Sequence, residues 1–414
     1  MQPIGDAHVW KGCALSPPPD APARPDTDAL DRLRRAIASD PALQDRLAVI
    51  HERDPFTAEV SAVAGELGLA IDPETIAAAL VPDPLGLARL SGAGATVENW
   101  PRRGWLPTGV AAAEEFVVDW ACFDGIPLTA PFFEDASRRA RARPINRLMR
   151  LRTPLADLAS GMRGPLRKPD GLIFHLSRCG STLVAQMLAA MRDTTVISEA
   201  PALDDVVQFI QSRPAMPVEM RVALLRAMAG AFGRSPDGID GRYFIKLDCW
   251  HTLAMPLFRA AFPDTPWIFL YRDPVEVLVS HMRIPGMQTI PGPMSEGIFG
   301  ISDWRDLPGE TYCARVLARV CDGVLDDPAG GMLINYSELP EALETRILPH
   351  FGIAAADDDR ARIAAAGQRN AKSPGETFTA DGAGKRREAS DAVKDVAARL
   401  LAEPYRRLEA LRLA

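Results

Sequence analysis

The 414-residue sequence has little lysine and no long apolar run. Its 47 basic and 54 acidic residues give a formal net charge of −7, which excludes a general affinity for the backbone of DNA or RNA. A membrane-spanning helix needs about 18 consecutive apolar residues, and no such stretch occurs. The N-terminus also lacks the apolar segment of a secretory signal. We therefore expect a soluble, cytoplasmic protein with neither nucleic acid nor membrane as a partner.

Six cysteines are scattered along the chain, and no two of them form a C-x-x-C pair. This spacing argues against a zinc site or a disulfide framework, so we expect reduced thiols. Only 6 of the 47 basic residues are lysine. Because arginine is the default cation here, a lysine in a buried strand is the more informative basic residue.

The length predicts two or three domains. Residues 1–25 form an N-terminal segment with a proline-rich linker. Residues 26–81 carry four short runs with helical apolar spacing, which predicts a small all-α module. Residues 82–165 form an accessory, connecting region, and residues 166–414 an α/β domain. The last segment is where strands and helices alternate, so function is sought there.

The helical module has capping signals at several of its helix ends. Asp40 and Asp72 each precede a proline suited to a first helical turn, and Gly68 is placed to stop the third helix. With ASDPALQDRL, AGELG, IDPETIAAAL and Phe56, residues 27–81 resemble the Nif11-like leader domain. That resemblance implies a part in recognising a peptide. A helical cap or dimerisation element with the same spacing is the alternative.

The accessory region carries weaker signals. Glycine and proline punctuate residues 82–109, which predicts loops. Residues 116–123 predict a strand, and residues 130–151 a helix interrupted at Pro144. Four aromatic residues are candidates for an acceptor pocket or, as the favoured interpretation, for core packing: Trp105, Trp120, Phe132 and Phe133.

From residue 168 onward, short continuous apolar runs alternate with helical patterns. The predicted strands are GLIFHL, TVIS, YFIKL, WIFLY and MLINY, in chain order. Such strands predict a three-layer α/β domain with a central parallel sheet covered on both faces. Ligands of these domains bind at the carboxyl ends of the strands.

A candidate anion-binding loop follows the first of these strands. Its residues are Ser177, Arg178, Cys179, Gly180 and Ser181, with Thr182 at the start of an amphipathic helix. Gly180 allows a close backbone approach, Arg178 adds a cation, and a helix N-terminus presents free N–H groups. The loop is not a nucleoside-triphosphate P-loop, because Ser181 stands at the lysine position. We expect a bound phosphate; an ordinary strand–turn–helix is the alternative.

A second anion site is predicted after the strand WIFLY. The strand ends at Arg272, and Asp273 and Pro274 suit the cap and first turn of a following helix. Glu276 completes a capping-box pattern, and Ser280 lies two turns along the helix. Arg272 and Ser280 can grip one phosphate, with the arginine as a forked donor. Alternatively, Arg272 pairs with a local carboxylate and Ser280 faces a neighbouring helix.

These elements resemble those of sulfotransferases that use 3′-phosphoadenylyl sulfate (PAPS). The first is similar to the 5′-phosphosulfate loop of that family, although Cys179 stands where serine is usual. Arg272 and Ser280 match the family's 3′-phosphate element, and the resemblance covers roughly residues 168–350. It implies a P-loop-like fold, PAPS as cosubstrate, no metal, and transfer of a sulfuryl group to a hydroxyl or amine.

The resemblance also implies a base for the acceptor proton. Glu199 follows the second strand, where several members carry a catalytic glutamate, and burial is expected to raise its pKa toward neutrality. Other members carry a histidine after the third strand, where this chain has Asp248. His251, three residues on, is the reserve candidate. A helix cap or an arginine partner is the alternative role for Glu199.

Lys246 ends the third strand, where a buried ammonium is costly unless an anion meets it. We assign it to the leaving or bridging oxygen, shared with Arg178; a salt bridge to Asp248 or Asp273 is the alternative. His175 in the first strand is interpreted as a satisfied core histidine.

Lys372 and Lys385 lie in a glycine-rich stretch where sulfotransferases often close a basic loop over the nucleotide. Solvated surface charge is the favoured interpretation of both.

The sequence thus predicts a PAPS-dependent sulfotransferase with Glu199 as base. The expected partners are a small-molecule or peptide acceptor and a second copy of the chain. A P-loop-type small-molecule kinase is the alternative enzyme. The alternative without catalysis is a degenerate nucleotide- or peptide-binding protein, which Cys179 favours.

Overall fold

The structure is a computed structural model of the chain. It describes residues 27–83, 94–97, 99–112, 115–161, 166–234, 241–370, 373–377 and 382–414. The predictions for residues 1–25 and for Lys372 lie outside the described residues. Within these ranges, every helix is too short or too polar to cross a membrane.

The four predicted helices of the N-terminal module are present. They are α1 (Thr27–Ser39), α2 (Pro41–Ala48), α3 (Arg53–Glu66) and α4 (Pro73–Ala79). Asp40 caps α2 by accepting the Ala42 amide at 2.8 Å, and Asp72 caps α4 by accepting the Glu74 amide at 2.9 Å. Gly68 follows α3 with a φ of 67°, a conformation that favours glycine. The likeness to a Nif11-like domain itself stays a prediction.

The accessory region forms a three-stranded antiparallel sheet with two helices. Its elements are β1 (Trp105–Ala112), β2 (Phe116–Cys122), α5 (Phe133–Ala142), α6 (Pro144–Met149) and β3 (Arg152–Pro154). The predicted strand and the helix break at Pro144 are confirmed. The expectation of loops throughout residues 82–109 is wrong, because β1 begins at Trp105. This strand tolerates Pro107 and Gly109 because it lies at the sheet edge and its register shifts between them.

The predicted α/β class with a central parallel sheet is confirmed. The strands are β4 (Gly171–His175), β5 (Thr194–Ser198), β6 (Arg242–Lys246), β7 (Trp267–Tyr271) and β8 (Gly331–Asn335). They pair in parallel in the order β5-β6-β4-β7-β8. Every residue of β4 and β7 is buried, and successive side chains point to opposite faces, so both faces of the sheet are covered.

The remaining elements surround and follow this sheet. They are α7 (Ser181–Ala189), α8 (Pro201–Gln211), α9 (Val218–Phe232), α10 (Met255–Ala261), α11 (Pro274–Arg283), α12 (Pro293–Gly297), α13 (Gly309–Leu325), α14 (Leu348–His350), α15 (Asp357–Gly367), β9 (Arg369–Asn370), β10 (Ser373–Thr377), α16 (Gly382–Glu388), α17 (Asp391–Val396) and α18 (Ala402–Leu413). The predicted C-terminal helix is divided by a π turn at Ala397–Leu401. Pro404 explains this widening, because a proline ring crowds the carbonyl group four residues earlier.

The strand order creates a crevice at the centre of the sheet. The chain leaves β4 towards β5 and β6 on one side, then crosses back to β7 and β8 on the other. His175, which ends β4, lies opposite Leu270 of β7, so the segments after both strands emerge side by side. At such a switch point a doubly wound sheet binds its ligands.

The three parts of the chain pack against one another. Arg34 of α1 donates to the Leu148 carbonyl at 2.7 Å. Phe133 of α5 stacks on Phe123 at 5.4 Å between ring centroids and meets Phe232 of α9 edge-on at 5.1 Å. Because buried apolar side chains of all three parts form one cluster, the domain boundaries stay predictions.

Replacing Phe133 with alanine is expected to lower the free energy of unfolding by about 3–5 kcal/mol. The ring is 4% exposed and joins the accessory region to the α/β domain. Urea denaturation measures the loss. The control is Phe116→Ala, whose ring is 39% exposed and should cost clearly less. Equal losses would contradict the joining role of Phe133.

Candidate active site

A cavity of about 440 Å³ lies in the crevice beyond β4 and β7. The predicted site residues that line it are Arg178, Cys179, Gly180, Ser181, Thr182, Glu199, Arg272 and Ser280. Lys246 and His251, the other two, lie outside this lining. The tertiary structure thus brings both predicted anion sites into one cavity.

The loop after β4 is wound through left-handed backbone. Ser177, Arg178 and Gly180 have φ values of 72°, 52° and 85°. Turns of this kind direct successive backbone N–H groups into an anion-binding concavity, here continued by the N-terminus of α7. At Gly180 a Cβ atom would come within 2.8 Å of both Leu339 and Tyr336, so only glycine fits. The tight, glycine-dependent turn before a helix is present as predicted, and phosphate binding by it stays a prediction.

The two distinctive loop side chains point in different directions. Arg178 lines the cavity, and its Nη2 donates to the Ile284 carbonyl at 2.8 Å. The fully buried Cys179 thiol donates to the Leu270 carbonyl at 3.2 Å, and burial raises its pKa. Cys179 therefore serves the loop through its backbone. The presence of cysteine instead of serine at this position is then weak support for a site that has lost catalysis.

The second anion site differs from the expected arrangement in one contact. Asp273 caps α11 as predicted, accepting the Glu276 amide at 3.1 Å. The Glu276 carboxylate does not return to the cap; it accepts from Nε of Arg272 at 2.6 Å, with both residues buried. The Arg272 guanidinium also lies 3.9 Å from the centroid of the Tyr336 ring. Arg272 thus pairs with a local carboxylate, as the alternative interpretation of this element expects. It nevertheless lines the cavity, as Ser280 does.

Lys385 is placed differently from the favoured expectation of solvated surface charge. It lies on α16, is only 6% exposed, and lines the same cavity. The folded chain therefore brings a third cation to the site from the C-terminal stretch. A glycine-rich, basic sequence cannot distinguish a buried lysine from a solvated one.

Glu199 is the centre of a buried ionic cluster. It follows β5 with a φ of 50°, and its Oε1 accepts from Nζ of Lys246 and lies 3.3 Å from Nε2 of His175. Burial alone would raise the pKa of Glu199, but the charge of Lys246 and the bond from His175 outweigh it and hold that pKa far below its ordinary value. The expectation of a raised pKa is therefore wrong.

His175 connects this cluster to the phosphate loop. Its Nδ1 accepts the Ser177 amide at 3.0 Å, and its Nε2 lies 2.9 Å from the Leu247 carbonyl. Burial, and then the charge of Lys246, lower the pKa of His175, so the ring is neutral. It is a satisfied core histidine, as expected, and it also fixes the start of the loop.

Lys246 is fully buried, and Glu199 is its partner rather than Asp248 or Asp273. The ring of Phe132 lies 5.5 Å from its Nζ and also lines the cavity. The other three aromatic candidates of the accessory region, Trp105, Trp120 and Phe133, are buried in the core. Lys246 itself has no exposed surface and lies outside the cavity lining.

Asp248 is the second carboxylate of the cavity. Burial, together with the charges of Glu199 and Asp204, raises the pKa of Asp248 to about 7. The neighbouring His251 is 1% exposed; its Nε2 bonds to Asp204 at 2.9 Å and its Nδ1 accepts the Asp248 amide at 3.3 Å. Both ring nitrogens of His251 are therefore engaged away from the cavity.

One group of possible metal ligands exists among the described residues: Asp204, Asp248 and His251. Oδ1 of Asp204 already accepts from His251, from Trp250 at 2.8 Å and from Gln208 at 3.1 Å. These hydrogen bonds satisfy Oδ1 of Asp204 without an ion. The prediction that the site needs no metal stays a prediction.

Sequence reasoning missed Asp204 and Tyr336. Asp204 lies in the first turn of α8, just beyond the carboxyl end of β5, and Tyr336 directly follows β8. Their positions at the active edge of the sheet were the available signals. For Gln288, which lines the cavity and donates to the Ser177 hydroxyl at 3.0 Å, we find no signal in the sequence.

Comparisons with known proteins give structural likeness only. No family model matches the chain, and no curated protein matches it. It is similar to a sulfotransferase from Mycobacterium tuberculosis H37Rv, with 14% identity, 57% of this chain and 77% of that chain covered, and a TM-score of 0.34. It is also similar to the sulfotransferase domain of the curacin biosynthetic pathway, with 16% identity, 59% of this chain and 98% of that chain covered, and a TM-score of 0.35. A third similar structure is a sulfotransferase from Alicyclobacillus acidocaldarius, with 16% identity, 60% of this chain and 96% of that chain covered, and a TM-score of 0.36.

Gly180→Ala is expected to destabilise the protein by more than about 1–2 kcal/mol, the usual cost of a left-handed non-glycine residue, because the new methyl group also clashes. Thermal and urea unfolding measure the loss. Gly309→Ala is the matched control, since its Cβ meets open space and its φ is not positive. If the two variants are equally stable, the loop does not require glycine.

Proposed function

We propose that this protein is a sulfotransferase that uses PAPS and transfers its sulfuryl group to a hydroxyl or amine of a small-molecule or peptide acceptor. The observation that carries the proposal is the meeting of two cationic strand ends in one cavity, Arg178 after β4 and Arg272 after β7. A nucleotide with a 3′-phosphate and a 5′-phosphosulfate needs two such ends.

The residues present fit this cosubstrate. The amides at the start of α7, Arg178 and the hydroxyls of Ser181 and Thr182 form a donor set for the 5′-phosphosulfate. Arg272 and Ser280 form the corresponding set for the 3′-phosphate. Lys385 also lines the cavity. It belongs to the same end as Arg272, because its neighbour Arg386 bonds to the Glu276 carboxylate that also holds Arg272.

The reaction forms a bond between sulfur and the acceptor oxygen or nitrogen while the bond from sulfur to the 5′-phosphate oxygen breaks. The acceptor proton passes to a carboxylate of the cavity. Arg178 and the amides of α7 stabilise the charge that develops on the leaving phosphate oxygen. As in phosphoryl transfer, positioning and charge stabilisation supply most of the catalysis.

Asp248 is the best-placed base among the three sequence candidates. It lines the cavity and its pKa of about 7 suits proton transfer near neutrality. Glu199 is held as a carboxylate by Lys246 and is a weak base. His251 is turned away from the cavity. We therefore assign Glu199, held by its ion pair with Lys246, to the part of the cavity wall that positions the acceptor.

Calorimetry with adenosine 3′,5′-bisphosphate (PAP) tests the nucleotide assignment. Arg272→Ala is expected to weaken PAP binding about 10- to 100-fold, the effect of losing a charged hydrogen bond. Arg305→Ala, at a cation that lies on Trp304 away from the cavity, is the control and should bind normally. A wild-type protein that shows no heat with millimolar PAP, or binds ATP more tightly, contradicts the proposal.

The pH dependence of turnover tests the base. Only the deprotonated carboxylate accepts a proton, so kcat should rise as pH increases through about 7. Asp248→Asn is expected to remove this rise and to lower kcat by about 100- to 10,000-fold. Glu199→Gln should keep the inflection. The opposite pattern, with the rise lost in Glu199→Gln alone, would make Glu199 the base.

A further inference from the structure

Glu276 is a buried carboxylate held between two guanidinium groups. Its Oε2 accepts from Nε of Arg272 at 2.6 Å, and its Oε1 accepts from Nη1 of Arg386 at 2.6 Å. Arg272 directly follows β7, Glu276 lies on α11, and Arg386 lies on α16. One side chain thus joins the second anion site to a C-terminal helix that follows it by more than a hundred residues in the chain.

The contact with Glu276 fixes the plane of Arg272. The guanidinium is 4% exposed, bonds to the carboxylate through Nε, and lies on the Tyr336 ring at 3.9 Å. Guanidinium donors form a rigid planar fork, so fixing Nε and one face decides where the outer N–H groups are directed. The orientation of Arg272 therefore depends on Glu276.

The same carboxylate docks α16. The start of this helix comes so near that a Cβ at Gly382 would lie 2.7 Å from Oε1 of Glu276. Arg386 is mostly exposed apart from its bond to Glu276, whereas the preceding Lys385 is 6% exposed and lines the cavity. Lys385 reaches the cavity only with α16 in this position. A second ion pair between α11 and α16, Arg283 with Glu388, is largely exposed and lies at the opposite end of α11 from Glu276.

The charges at this end of the cavity still favour an anion. Glu276 offsets one of the two arginine charges, so these three side chains together carry one net positive charge. Burying a carboxylate is costly unless it is paired and hydrogen-bonded, and two guanidinium groups meet that need. The carboxylate therefore orders the cations without cancelling their attraction for a phosphate.

We propose that Glu276 is a positioning residue that sets the affinity for the 3′-phosphate of the nucleotide. It holds Arg272 in its plane and docks α16 so that Lys385 enters the cavity. This inference rests on the proposed function. Because Glu276 does not touch the reacting atoms, it acts on binding and leaves the chemical step unchanged.

Nucleotide titrations test the inference, with PAP as the probe and adenosine 5′-monophosphate (AMP) as the probe that lacks the 3′-phosphate. Glu276→Gln is expected to weaken PAP binding by about 10-fold or more and to leave AMP binding unchanged. The KM for PAPS should rise by a similar factor while kcat stays the same. Arg386→Gln should act in the same direction, and it leaves the contact between Arg272 and Glu276 intact. Arg283→Gln, the matched control at the same helix pair, should bind PAP normally.

Hydrogen exchange in the ligand-free protein provides a second readout. The amides of residues 382–388 should exchange faster in Glu276→Gln and in Arg386→Gln than in the wild type. Unchanged PAP affinity in Glu276→Gln overturns the inference, and so does an equal loss in Arg283→Gln. If the wild type binds neither PAP nor AMP, the proposed function fails. The exchange data then still decide whether Glu276 docks α16.

Discussion

The parallel pairing of β4 with β7 at the centre of the sheet is the constraint on which the site depends. Paired residues of these strands, such as His175 and Leu270, are 95 residues apart in the chain (270 − 175), yet the segments that follow the strands share one cavity. A parallel pair needs a long crossover, and the crossovers from β4 run to the opposite side of the sheet before β7 is added. The two elements predicted to bind anions therefore meet although they are remote in the sequence. The spacing of the paired strands sets the distance between the loop after β4 and α11.

Charge inside the site is organised by pairing. Lys246 is neutralised by Glu199, and Arg272 is held by Glu276, so both of these buried cations have a carboxylate that limits the cost of desolvation. The two pairs have different consequences. In the Glu199 pair the carboxylate lines the cavity and the lysine does not, whereas in the Glu276 pair the cation Arg272 lines it. Asp248 differs from both carboxylates, since burial and neighbouring acidic groups raise its pKa to about 7.

Local patterns predicted local structure well in this chain. Asp40 and Asp72 cap helices where expected, Pro144 begins a new helix, and the strands after residue 168 form a parallel sheet. The prediction failed at β1, because proline and glycine indicate loops only where a strand has no free edge or bulge to accommodate them. It failed again at Lys385, since burial of one basic residue in a glycine-rich stretch depends on the surface against which that stretch packs.

The sequence by itself determined which segments form the candidate site. Strand ends followed by glycine, arginine and a helix start predict anion sites from local physics alone, since backbone geometry and helix dipoles act within a few residues. Only the tertiary structure decided the state of each charged group. Glu199 lies 47 residues from Lys246 and Glu276 lies 110 residues from Arg386, so their pairing follows from strand order and helix docking. A pKa depends on the neighbours that folding brings within a few ångströms, and those neighbours are remote in the chain.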